Sequence, residues 1–62
     1  MKFKKNKQNE YVSQDQIIKI FKLNVDNKIV WRATVSDNWD WDYETLKDAK
    51  QYYTNNSQNG GQ

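Results

Sequence analysis

The chain has 62 residues, a formal net charge of +2, and no cysteine, histidine or proline. That length holds one small domain near the lower limit at which a core forms without staples. The missing cysteines exclude a disulfide framework and a thiol nucleophile, and the missing histidines remove the usual general base and the commonest metal ligand. No apolar run approaches the ~20 residues a bilayer span requires. The early lysines are followed by no apolar stretch of the secretory type, so a cytoplasmic, non-enzymatic protein without cofactor, metal, membrane or small-molecule substrate is expected.

Charge is unevenly spread. Residues 1–35 carry eight bases against three acids, and residues 36–62 carry five acids against Lys47 and Lys50. A basic front half attracts phosphates, and an acidic back half suits a basic protein surface. Asn and Gln make up 14 of the 62 residues, and nine of the ten bases are Lys. This AT-rich coding bias suits the small accessory or inhibitor factors that phages and plasmids encode.

Residues 1–10 offer only Phe3 as an apolar anchor beyond Met1 and read as a flexible basic arm. Residues 11–53 form the expected α+β domain, and the polar stretch 54–62 reads as a disordered tail. Within the domain, apolar residues recur with period two. Phe21, Leu23 and Val25 form one run, Ile29, Trp31, Ala33 and Val35 a second, and Trp39, Trp41 and Tyr43 a third. Reading Asp26-Asn27-Lys28 and Ser36-Asp37-Asn38 as three-residue connectors places all ten of those side chains on one face. A two-residue Asp26-Asn27 turn would set Leu23 opposite Val30 and Phe21 opposite Arg32, dividing the apolar set, and is disfavoured on that ground.

After Tyr43 the period changes. Thr45 reads as a helix cap with Asp48 at the third helical position, and Leu46, Ala49, Tyr52 and Tyr53 form one stripe. A competing local reading makes Asp42 the cap and shortens the third strand. The expected architecture is a three-stranded antiparallel β-meander packed on one face by a single C-terminal helix (β-β-β-α), with flexible tails at both ends.

The same parity turns Ile18, Ile20, Lys22, Val30, Arg32, Asp40 and Asp42 outward. An outward Ile18, Ile20 and Val30 call for a cover from the N-terminal segment or a partner, unless they serve strand propensity alone. Trp39-Asp40-Trp41-Asp42-Tyr43 interleaves rings with acids, as a core edge strand with a solvated face or as a contact for a basic groove. Catalysis there lacks every supporting group.

The stretch KIVWRATVSDNWDWDYETLKDAKQYY resembles the strand-strand-helix pattern of the arm-binding domains of tyrosine recombinases, through Trp31, Ala33, Thr45, Ala49 and Lys50. The resemblance implies DNA binding by the sheet face opposite the helix, through Lys22, Lys28 and Arg32. The chain departs from it at Asp40 and Asp42, two carboxylates expected on that same face.

Two functional expectations follow. The first is a protein-binding module that docks another protein, or itself as a homodimer, through Ile18, Ile20, Val30, Asp40 and Asp42. The second is a nucleic-acid-binding module that uses Lys4, Lys5, Lys7, Lys22, Lys28 and Arg32.

Overall fold

Four residues in left-handed backbone conformation set the architecture. Asp26 and Asn27 have φ of 51° and 65°, and Ser36 and Asp37 have φ of 53° and 67°. Two consecutive positive φ values are the signature of a type I′ turn, the two-residue connection whose twist matches that of the flanking strands. The computed structural model describes the backbone of residues 2–60 and the side chains of residues 2–54. In it, these turns join β3 (Ile18–Val25) to β4 (Lys28–Val35) and β4 to β5 (Asn38–Tyr43).

The consequence for register is complete. Val25 pairs with Lys28, Leu23 with Val30, Phe21 with Arg32 and Ile20 with Ala33. This is the arrangement the sequence reading disfavoured. Phe21, Leu23 and Val25 therefore lie on the opposite face of β3 from Ile18 and Ile20, and the two isoleucines form the core.

The sheet also has five strands rather than three. β1 (Phe3–Lys5) and β2 (Tyr11–Ser13) extend it, in the simple antiparallel order β1-β2-β3-β4-β5. The segment read as a flexible arm thus supplies an edge strand. Side-chain-to-backbone bonds build its turn: Asn6 Oδ1 accepts from the amides of Gln8 and Glu10, each at 2.9 Å. The next turn rests on Ser13, which is buried. Its Oγ donates to Asp15 Oδ1 at 2.5 Å and accepts from the Ile18 amide at 3.0 Å. The Ser13 hydroxyl first, and then the Ile17 amide, hold the Asp15 carboxyl below the usual carboxylate range.

Helix α1 (Leu46–Gly60) begins where the threonine cap was expected, with Thr45 Oγ1 accepting from the Asp48 amide at 3.0 Å. Its backbone continues to Gly60, through most of the expected tail; side chains beyond Thr54 and residues 61–62 lie outside the described residues. Ala49 and Tyr53 are buried against Ile18, Ile20 and Ala33, with Phe3, Tyr11, Trp31, Val35, Tyr43 and Leu46 packed around them. Lys50 covers the rim of this cluster, its Nζ 4.4 Å from the centre of the Tyr11 ring. Among the described residues no helix is long and apolar enough to cross a membrane.

The register makes a direct stability prediction. Ile20 is wholly buried and Val30 is only half-buried on the uncovered face. Ile20→Ala should cost about 2–5 kcal/mol in urea denaturation, whereas Val30→Ala should cost about 1 kcal/mol or less.

Candidate functional site

The helix lies on one face of the sheet, and among the described residues no element covers the other. The pairing assigns Lys4, Val12, Lys19, Phe21, Leu23, Val25, Val30, Arg32, Thr34, Trp39 and Asp42 to that open face. Its distal part is a projecting ribbon. β2 pairs with β3 only at Lys19 and Ile20, and β5 pairs with β4 only from Trp31 to Val35. Residues 21–30 therefore form a two-stranded hairpin with no outer strand on either side. Phe21, Leu23 and Val30 stay half-buried there, while Val25 and Ile29 are 38% and 46% exposed. A lone hairpin is marginal in water and gains from a covering surface.

At the proximal end an irregularity in β5 organises the charged groups. Thr34 pairs with Trp39 and Ala33 with Trp41, so Asp40 is the extra residue of a β-bulge. The bulge brings Ala33 opposite Trp41 and Trp31 opposite Tyr43, the partners that a three-residue Ser36-Asp37-Asn38 connector would also give, although Val35 faces Asn38 rather than Trp39. It also separates the two carboxylates. Asp40 accepts a hydrogen bond from the Tyr53 hydroxyl of the helix. Burial, and then that bond, raise the Tyr53 pKa well above the usual phenol range.

Asp42 lies on the open face, where Arg32 grips it in a fork: Nε to Oδ1 at 2.9 Å and Nη2 to Oδ2 at 3.1 Å. Trp39 Nε1 donates to the same Oδ1 at 3.0 Å, and the Arg32 guanidinium sits 6.0 Å from the Trp39 ring centre. Trp39 and Trp41 stack at the free edge of β5, with centroids 6.4 Å apart and planes within 17°. Both remain largely exposed, at 60% and 59%. Two rings held this way offer a rigid apolar plate beside a neutralised ion pair.

The residues singled out from the sequence are distributed as follows. Ile18 and Ile20, at 8% and 0% exposure, are core and cannot line a contact surface. Val30 and Asp42 lie on the open face, and Asp40 is engaged with the helix. The six bases do not form one patch. Lys22 pairs with Trp31 on the helix side of the sheet, Lys28 sits at the ribbon tip, and Arg32 is held by Asp42. Lys4, Lys5 and Lys7 belong to β1 and the turn after it. Phe21, Leu23 and Val25 were assigned to the core and instead furnish the open face. The Asp26-Asn27 dipeptide admits the two-residue turn that places them there, since both residue types tolerate positive φ, but it admits a three-residue loop equally. Among the described residues no group of three or more acidic side chains converges as a metal site.

Comparison with protein-family models, curated proteins and solved structures finds no match to this chain.

The Arg32–Asp42–Trp39 cluster titrates in a defined direction. The hydrogen bond from Arg32 first, and then that from Trp39, hold Asp42 below the usual carboxylate range against the opposing effect of desolvation. A folded pKa below the unfolded value contributes stability above about pH 4, which is lost as pH falls through the lowered pKa. The fluorescence difference between the native chain and Trp39→Phe should therefore show an acid transition below pH 4. Asp42→Asn should abolish that transition.

Proposed function

We propose that this chain is a non-catalytic docking protein that binds a partner protein through the projecting hairpin 21–30 and the adjoining open face. The observation that carries this reading is the unpartnered ribbon. Its cross-strand pair Leu23–Val30 and the neighbouring Phe21 face away from the helix, with no other element above them among the described residues. Val25 extends the same strip to the tip. Burying such a strip against a partner contributes on the order of 25 cal/mol per Å² of apolar surface, and the partner also spares the ribbon its exposure to water.

The chemistry of the partner surface follows from the rim. Lys28 stands beside Val25 at the tip of the strip, Lys22 projects from the opposite side of the same ribbon, and of the acids Asp26 lies in the turn and Asp42 is neutralised by Arg32. An apolar patch ringed by carboxylates is complementary to this arrangement. The stacked Trp39 and Trp41 provide a second anchor at the proximal end, since exposed tryptophans dominate the energetics of many interfaces.

The test compares quantitative capture by the native chain, Leu23→Lys/Val30→Lys, and a helix-face control, Gln51→Lys. One protein retained by the native chain and by the control should fall at least tenfold with the double variant. The double variant should keep the native circular dichroism at the assay temperature, with a melting temperature lowered by only a few degrees. Equal retention by the double variant, or no retained protein, would contradict the reading.

A further inference from the structure

We infer that the β1–β2 hairpin carries a second site, at the end of the sheet away from the ribbon 21–30: a groove that binds the phosphate backbone of single-stranded nucleic acid. A concavity of about 1060 Å³ runs along this hairpin, and its lining includes Lys2, Lys4, Lys5, Lys7 and Lys19 against Glu10 alone. The whole chain has a net charge of only +2, so the groove concentrates the positive charge and the remainder of the molecule is acidic. A low-dielectric wall bordered by one sign of charge focuses the potential into the concavity.

The lysines are held in place by strand order. Lys4 pairs with Val12 and Val12 with Lys19, which places the two lysines in one transverse row, two strand spacings or about 9.6 Å apart. Lys5 stands on the other face of β1, its Nζ 5.9 Å from the Tyr11 ring centre. Lys7 is carried in the turn that the Asn6 side chain closes. The acid in the lining is occupied, because Asn6 Nδ2 donates to Glu10 Oε1 at 3.0 Å. Two side chains that would repel or misplace a phosphate are thus tied to each other. Lys19 Nζ rests 3.4 Å from the exposed Asp37 Oδ1, a solvent-screened pair that a phosphate would displace.

Several features select the ligand class. Lys4 and Lys5 stand on opposite faces of the edge strand β1, so a flexible single strand can follow the lysines around that edge, where a straight duplex reaches one face at a time. Gln14 and Gln16 in the lining supply amides that both donate and accept, which suits sugars and base edges. Its apolar members, Phe3 and Val12, are half-buried and do not project as a membrane-inserting group would. No exposed ring lies in the lining, so recognition is led by phosphate and tolerant of sequence.

The experiment measures fluorescence anisotropy of labelled dT15 with the full chain between 50 and 200 mM salt. Three to five neutralised phosphates give a log–log slope of about −2 to −3.5, a loss of roughly 16- to 130-fold across that range. Lys4→Gln/Lys7→Gln should weaken binding about tenfold and flatten the slope. Lys22→Gln/Lys28→Gln removes the same charge from the ribbon and should change binding less than threefold. Four outcomes would overturn the proposal: no binding at 50 mM salt, equal losses in both double variants, tighter binding of a duplex of equal length, or preferential capture by phosphatidylserine vesicles. Leu23→Lys/Val30→Lys should bind dT15 at least as tightly as the native chain, so failure at this groove is distinguishable from failure of the docking reading.

Discussion

The pairing of Ile20 with Ala33 is the contact on which the rest of this structure depends. Both side chains are fully buried, and together with Ile18, Ala49 and Tyr53 they form the centre of a small core. That pairing exists because Asp26-Asn27 closes β3 onto β4 with two residues rather than three. The side-chain period of a strand is two, so adding one residue to the turn would send Ile18 and Ile20 to solvent and bring Phe21, Leu23 and Val25 under the helix. The same parity decides which surface is left over for other work.

The limited reach of one helix explains why the apolar residues are divided between the faces. An α-helix with its side chains is about 10–12 Å across, little more than two strand spacings of about 4.8 Å. α1 presents Leu46, Ala49 and Tyr53 to the sheet, enough to cover the β3–β4 centre and part of the rim. It cannot also cover the far half of a strand pair eight residues long together with Trp39 and Trp41. The ribbon 21–30 and the Trp39–Trp41 stack are what remains. Their exposure follows from the ratio of apolar side chains to available cover. The bulge at Asp40 completes the arrangement by turning one carboxylate to Tyr53 and leaving the next, Asp42, to Arg32.

Much of this was legible in the residues. Period-two alternation marks the three long strands, and Thr45 with the Leu46, Ala49, Tyr52, Tyr53 stripe marks the helix, although Tyr52 of that stripe is exposed and only the other three face the sheet. Connector length was not legible from propensity, because Asp26, Asn27, Ser36, Asp37 and Asn38 are all turn-tolerant residues that serve two- and three-residue loops alike. Gathering every apolar side chain on one face decided the choice wrongly, since one short helix has too little surface to receive them. β1 and β2 were hidden for another reason. Each has three residues, too short for a period to register, and the order of that region comes from Asn6, Ser13 and Asp15 acting on backbone groups. The surface reading inherited the parity error, so of the apolar residues singled out only Val30 stands on the open face.

The most direct measurement of the central claim is a nuclear Overhauser spectrum of the β3–β4 hairpin. In a two-residue hairpin the closing pair Val25–Lys28 is hydrogen-bonded and the pairs then alternate. Ile20–Ala33 and Lys22–Trp31 are thus close pairs, with Cα atoms about 4.5 Å apart. Strong Hα–Hα cross-peaks between Lys22 and Trp31 and between Ile20 and Ala33 are the result this account predicts. Strong Hα–Hα cross-peaks between Lys22 and Arg32 and between Ile20 and Thr34 would show a three-residue turn and contradict it.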